Sequence, residues 1–355
     1  MAELSDPTVV LHIGAVKTGT SFIQNVLSTN PAALADQGVL WPGQTWRDQV
    51  QAVHGLRGHG GVAFERWTSL VDQIDGWAGP RAIVSMEFLS LMSQQAVDTA
   101  MKTLASHRVR VVLTVRDIAR ALPAQWQESV QNGLSWSYPD YVADVTARKP
   151  KGSRAGRHFW NKQDWPTILS QWTTHLPADD LIVVTVPPQG APPGLLWERF
   201  CLAAGLAPAA FDTSAKVNES LGAASAEVMR YVMLQAGQSL EGVDETSHPL
   251  KQTLKQTLAK QILSSHKSAE PVLVLPPQQH EWAARESRQL VEALRSLPIT
   301  VIGDLDDLLP TFAAPKGPTT TDPGTLDSDT LLAAAAHGLI GLAESRARGR
   351  RQQSR

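Results

Sequence analysis

The sequence predicts an α/β fold of three layers, a central and mainly parallel sheet flanked by helices, followed by a helical C-terminal part. Three observations carry this reading. Short apolar runs rich in β-branched residues recur up to Val186, as strands covered on both faces require. Between them the apolar residues fall at helical spacing, so strand and helix alternate, as parallel strands joined by crossovers demand. From Ser225 to Leu294 the strand runs give way to mostly helical patterns.

The elements follow in order. Val9-Val10-Leu11-His12-Ile13 is the first strand; it turns through Gly14 and Gly19 into a helix marked by Phe22, Ile23, Val26 and Leu27. Asn30-Pro31 starts a second helix, because Asn caps well and Pro suits the first helical position. Gly38 to Gly43 reads as a short extended piece closed by a turn, and His54 to Gly61 as a mobile, glycine-rich loop on the substrate side. Trp67 to Trp77 is a helix and Arg81 to Ser85 a strand, with Glu87 just beyond it. Val109 to Val115 is the strongest strand signal, ending in Arg116-Asp117 and a helix with Leu122, Trp126 and Val130. Arg148 to Arg157 holds five cations among Gly and Ser, which suits an anion-gripping lid or a solvated loop. Gln163 to His175 is helical, Asp180 to Val186 a strand, and Leu195 to Ala204 a helix ended by Gly205. Ile299 to Ile302 is a last short strand. One domain over residues 1–312 is therefore expected, then a linker over 313–329. An Ala/Leu-rich helix and a disordered basic tail complete 330–355.

Composition narrows the function. A net charge of −2 gives no global basic field, so nucleic acid is not an expected partner. The single cysteine, Cys201, excludes an intrachain disulfide framework and a multi-cysteine metal site; its apolar helical setting reads as core. No basic-then-apolar leader opens the chain, and no uncharged apolar run reaches the ~18 residues of a membrane span. A soluble, cytoplasmic protein with no membrane partner is expected. Trp41, Trp46 and Trp67 lie near glycine or polar loops, where an indole can stack on a base, line an acceptor pocket or anchor the surface.

The first turn carries the chemistry. Strand, glycine turn and helix make an anion cradle, because the first backbone N–H groups of a helix lack intrahelical partners and the helix dipole favours negative charge there. Lys17 adds a cation, and Thr18, Thr20 and Ser21 add hydroxyls. An ATP-type loop would read G-x-x-x-x-G-K-[ST]. Here no lysine follows Gly19; Lys17 precedes it by two residues.

The order Gly14-x-x-Lys17-Thr18-Gly19-Thr20-Ser21 resembles the 5′-phosphosulfate loop of the sulfotransferase superfamily, whose P-loop NTPase-like members use 3′-phosphoadenosine 5′-phosphosulfate (PAPS). The bacterial branch, whose members begin with a strand and a Lys-Thr-Gly-Thr loop, is the nearest pattern. The resemblance covers roughly residues 8–310, and its specific parts are His12 to Ser21 and Val115 to Trp126. In that family an Arg after a strand and a Ser eight residues on clamp the nucleotide 3′-phosphate. Arg116 matches the Arg, but the second position is Ala124, leaving Gln125, Gln127, Ser129 or the basic loop to replace it. The family's late Arg-Lys-Gly loop has no clean match; Lys216 to Gly222 occupies roughly that region.

The resemblance implies sulfuryl transfer from PAPS to a hydroxyl of a small-molecule acceptor, leaving adenosine 3′,5′-bisphosphate (PAP). Lys17 would stabilise the charge building on the bridging oxygen. Gly19, Thr18, Thr20, Ser21 and Arg116 would hold the nucleotide. Glu87 would be the base, with His54 or His59 as alternatives. No metal is required, since the donor is already activated. Two other readings stay open: a P-loop nucleotide or metabolite kinase, in which Asp117 could hold Mg²⁺, and a non-catalytic nucleotide-binding protein. The C-terminal Ala/Leu helix is a candidate to pack on a second subunit, so a homodimer is also open.

Overall fold

The computed structural model describes residues 7–43, 45–57, 62–147, 154–214, 220–240, 249–312 and 317–353. They form two compact units. The first comprises Met1–Ile118, Trp160–Val217 and Ala283–Pro310, and the second Ala119–Phe159, Asn218–Trp282 and Thr311–Arg355. The chain crosses between the units more than once. Apolar periodicity says which face of an element is buried, not which neighbour buries it.

The first unit is built on a six-stranded sheet. Its strands are β1 (Thr8–Gly14), β2 (Val39–Leu40), β3 (Arg81–Ser85), β4 (Arg108–Val115), β5 (Leu181–Thr185) and, after the short β6 (Val272–Leu273) of the second unit, β7 (Thr300–Ile302). The order is β2-β3-β1-β4-β5-β7, and every pairing is parallel. The α/β class and parallel sheet expected from sequence are therefore what the chain forms. The chain runs from β1 outward to β2 and β3 on one side, then to β4 and β5 on the other. That reversal puts the C-terminal end of β1 at the topological switch point, where open α/β sheets place ligands.

Strand alternation sorts the side chains. Val10, Ile83, Val112, Ile182 and Val184 face one core with Ile23, Val26 and Leu27 of the first helix (Thr20–Thr29) and Phe200, Cys201 and Ala204 of the helix Leu195–Ala204. Val9, Leu11 and Ile13 point the other way and are buried as well, so β1 is covered on both faces. Cys201 is core, and burial pushes its thiol well above the ordinary range.

Several local expectations need correction. His54 belongs to the helix Trp46–Leu56, because a Thr45–Asp48 capping box starts that helix and buried Ala52, Val53 and Leu56 carry it through Gly55. The rest of the expected glycine loop, including His59, lies outside the described residues. Trp67 is fully buried with its Nε1–H donated to Thr103 Oγ1, so it lines no pocket. Arg154 and Arg157 open the helix Arg154–Gln163, while 148–153 lie outside the described residues, as do Lys216 to Glu219. The helix expected from Gln163 is the shorter Trp165–Ser170, capped by Asp164.

In the second unit, the stretch read as a linker carries β8 (Thr319–Thr320), which pairs parallel with β6. Two β-branched threonines suffice for a short edge pairing. The C-terminal helix runs Ser328–Gln353 and takes in most of the expected tail, since Arg is a good helix former.

Candidate functional site

β1 ends in a register shift against β4 between His12 and Gly14, which re-aims the chain into the turn. Gly14 has φ +83° and Gly19 φ +88°, both left-handed. A Cβ at Gly14 would lie 2.8 Å from the Glu87 Cβ, so glycine is what lets Glu87 approach the turn. Lys17 takes φ +66°, the one left-handed non-glycine among the described residues. That conformation costs a lysine roughly 1–2 kcal/mol, and it persists only where the surroundings over-determine it.

The surroundings do so through backbone bonds on every side. Ala15 N–H donates to the Thr114 carbonyl at 2.6 Å. Gln163 Nε2 donates to the Val16 carbonyl at 2.9 Å, and the Arg116 guanidinium lies 3.5 Å from the Lys17 carbonyl. The N–H groups of Phe22 and Ile23 close on the Gly19 carbonyl. Gly19, at the N-cap, has no side chain to cap the first helix, and a helix start of this kind is where anions are favoured.

Beneath the turn runs a buried chain of hydrogen bonds that spans β3, β1 and β4. The Ala15 carbonyl can only accept, so Thr18 Oγ1 donates to it at 2.6 Å. Thr18 Oγ1, 2.6 Å from Thr114 Oγ1, must then accept from Thr114. Thr114 in turn accepts from His12 Nε2 at 3.3 Å, and His12 Nδ1 accepts from Ser85 Oγ at 2.7 Å. One direction of donation therefore runs from Ser85 to the loop, with a single neutral histidine tautomer. Burial lowers the His12 pKa to about 3, which keeps that tautomer neutral.

Two glutamine amides are aimed in the same way. An indole N–H can only donate, so Trp46 Nε1, 3.0 Å from Gln24 Oε1, fixes the Gln24 amide. Its Nε2 then faces the site, donating to the Ser85 carbonyl at 2.9 Å and to Glu87 Oε2 at 3.1 Å. Trp165 Nε1 likewise donates to Gln163 Oε1 at 3.3 Å, turning Gln163 Nε2 toward Val16. Trp46 thus works through its N–H.

The residues expected at the site are placed as follows. Lys17 and Gly19 belong to the turn, Glu87 packs against it at Gly14, and the Arg116 guanidinium reaches the Lys17 carbonyl. Thr18 is fully buried with its hydroxyl turned inward, so it holds the loop and does not present that hydroxyl to a ligand. Thr20 Oγ1 is 3.2 Å from the Ala15 carbonyl, and Ser21 is exposed at the helix start. The His54 ring lies 5.1 Å from that of Phe88, the neighbour of Glu87, at a tilt of 40°. Gln125, Gln127 and Ser129 donate to the carbonyls of His158, Leu221 and Gln125. His12, Ser85, Thr114, Gln24 and Gln163 were missed. The signal was there: Val10–His12, Ile83–Ser85 and Val112–Thr114 each follow a core residue with a polar one two positions on.

Fold and turn together define an α/β protein with a parallel sheet and a glycine-bearing strand–turn–helix at its first strand. No family model and no curated protein matches the sequence. Among solved structures the chain is similar to a sulfotransferase from Alicyclobacillus acidocaldarius, at 13% identity and a TM-score of 0.40, over 60% of this chain and 86% of that one. No helix among the described residues is long and apolar enough to cross a membrane.

Proposed function

We propose that this chain is a sulfotransferase that moves a sulfuryl group from PAPS to a hydroxyl of a small-molecule acceptor, releasing PAP. The observation that supports the reading is that Glu87 packs against Gly14 of the same left-handed glycine turn that carries Lys17 and opens the first helix. The cradle takes the 5′-phosphosulfate. The Lys17 ammonium neutralises charge on the oxygen that bridges phosphorus and sulfur as the S–O bond breaks. Glu87 accepts the proton of the attacking hydroxyl, and Gln24 steadies its carboxylate by donating to Oε2. Arg116, held against the Lys17 carbonyl, is the cation for the 3′-phosphate.

A thermal-shift comparison of PAP, ATP with Mg²⁺ and buffer tests it. Saturation at about 100 times Kd stabilises by about 2.7 kcal/mol, a rise of several degrees. Stabilisation by PAP alone is expected, and Lys17→Ala should abolish it. Glu87→Gln should keep the shift yet lose transfer from labelled PAPS to a panel of hydroxyl metabolites. Stabilisation by ATP with Mg²⁺ alone would move the protein to the kinases.

A further inference from the structure

The C-terminal helix (Ser328–Gln353) has two apolar faces, although only one of them meets the rest of its unit. The inner face is narrow. Ala334 is buried, and Gly338 and Gly341 let the helix approach Leu258, Ile262 and Leu263 of the neighbouring segment; a Cβ at Gly341 would clash with Ile262. The outer face carries the larger side chains. Leu332, Leu339 and Ile340 are 65, 69 and 60% exposed, and exposed Ala336 and Ala343 join them. Positions 332, 336, 339, 340 and 343 follow helical spacing, so they form one stripe. A stripe this exposed on a helix already packed on its other side calls for a partner.

The stripe is its own complement. Its charged ends are opposite in sign: Asp329 stands before it and Arg346 after it, both exposed. If a second copy lies antiparallel across a dyad at the level of His337 and Gly338, Leu332 meets Ala343 of the second copy and Ala336 meets its Leu339. In the same register, with no further adjustment, Asp329 falls opposite Arg346. Large residues face small ones and acid faces base at both ends. A parallel pairing would instead set Asp329 against Asp329 and Arg346 against Arg346. The helix dipoles favour the antiparallel choice as well.

We propose that the outer stripe of the C-terminal helix is a homodimer interface, in which two copies pair antiparallel through Leu332, Ala336, Leu339, Ile340 and Ala343. A two-fold contact of this kind is isologous, so one patch serves both copies. The proposal uses residues remote in sequence from the cradle and does not depend on the catalytic reading.

Sedimentation velocity on the full chain tests it first. The wild type is expected to be a dimer at tens of micromolar. Leu339→Glu, on an exposed position that spares the core, should weaken the dimer at least about 100-fold by forcing a carboxylate into the apolar seam. Asp329→Arg should weaken it less, and the double change Asp329→Arg with Arg346→Asp should restore it. Single cysteines then read the orientation, since native Cys201 is buried. With a rise of about 1.5 Å per residue, two copies of position 339 lie about 4–5 Å apart along the axis and two copies of position 332 about 16 Å apart. Leu339→Cys should therefore cross-link to itself under mild oxidation, and Leu332→Cys should not. A monomeric wild type, a dimer indifferent to Leu339→Glu, or efficient cross-linking of Leu332→Cys overturns the proposal. So does a monomer that binds anionic vesicles through this stripe.

Discussion

One face of β4 carries two buried polar clusters, one at each end, made of opposite materials. At the start of the strand Arg108 and Arg110 bind Asp180 at 2.8 and 3.4 Å, and Arg110 also donates to the Ala203 carbonyl. At its end Thr114 joins the hydroxyl and imidazole chain of Ser85, His12 and Thr18. The first cluster is ionic and the second is neutral throughout. Four residues of strand, about 13 Å, separate Arg110 from Thr114. The difference teaches where charge is tolerated. On the proposed function, a charged group in that network would alter the field at the turn, which the hydroxyls and neutral imidazole of Ser85, His12, Thr114 and Thr18 do not. A neutral network gives rigidity without a charge directly beneath the turn, whereas Arg108 and Arg110 meet Asp180 at the other end of the same strand.

Breaking the ionic end should have the largest effect. Asp180→Ala removes the buried carboxylate that Arg108 and Arg110 share and should cost about 3–5 kcal/mol in urea unfolding. Molecules that remain folded should bind PAP with unchanged affinity, because the cradle is untouched.

Breaking the neutral end should cost less stability but more binding. His12→Phe strands the Ser85 and Thr114 hydroxyls and should destabilise by about 2–3 kcal/mol, with PAP binding weakened as the loop loses its anchor. The same residue gives a pH signature. Its folded pKa of about 3 lies below the ordinary 6.5, so between these values the unfolded chain takes up a proton that the fold excludes. His12 therefore contributes fully above pH 6.5, and stability falls as pH drops through the window from 6.5 to 3, by about 1.4 kcal/mol per unit. The variant should lose that slope while Asp180→Ala keeps it, which urea titrations at pH 7, 6 and 5 would show.

Two smaller changes sharpen the picture at the turn itself. Gly14→Ala adds a methyl 2.8 Å from the Glu87 Cβ at a φ of +83°, and should cost about 1–2 kcal/mol while displacing Glu87. Gln24→Leu removes one donor from the Glu87 carboxylate and should cost about 1 kcal/mol. It should lower turnover with little effect on PAP affinity. An equal loss of both would mean that Gln24 supports the loop more than the base.

Much of the frame was legible from local patterns. Arg81–Ser85 and Leu195–Ala204 have the bounds that β-branched runs and helical spacing imply, because buried strands and helices reveal their periods within a few residues. The glycine turn with Lys17 was legible for the same reason: left-handed backbone and a helix start are local requirements. Partner choice was not. His12 finds Thr114 102 positions away, and Gln163 reaches Val16 across 147. Nothing near either residue names its partner, since a hydrogen bond depends on distance and angle between chain segments that only the assembled sheet brings together. The amino-acid order by itself therefore determined the strands, the turn and its cation. The tertiary structure alone decided which hydroxyls and amides hold that turn, turned the Thr18 side chain inward, and divided the chain into two units.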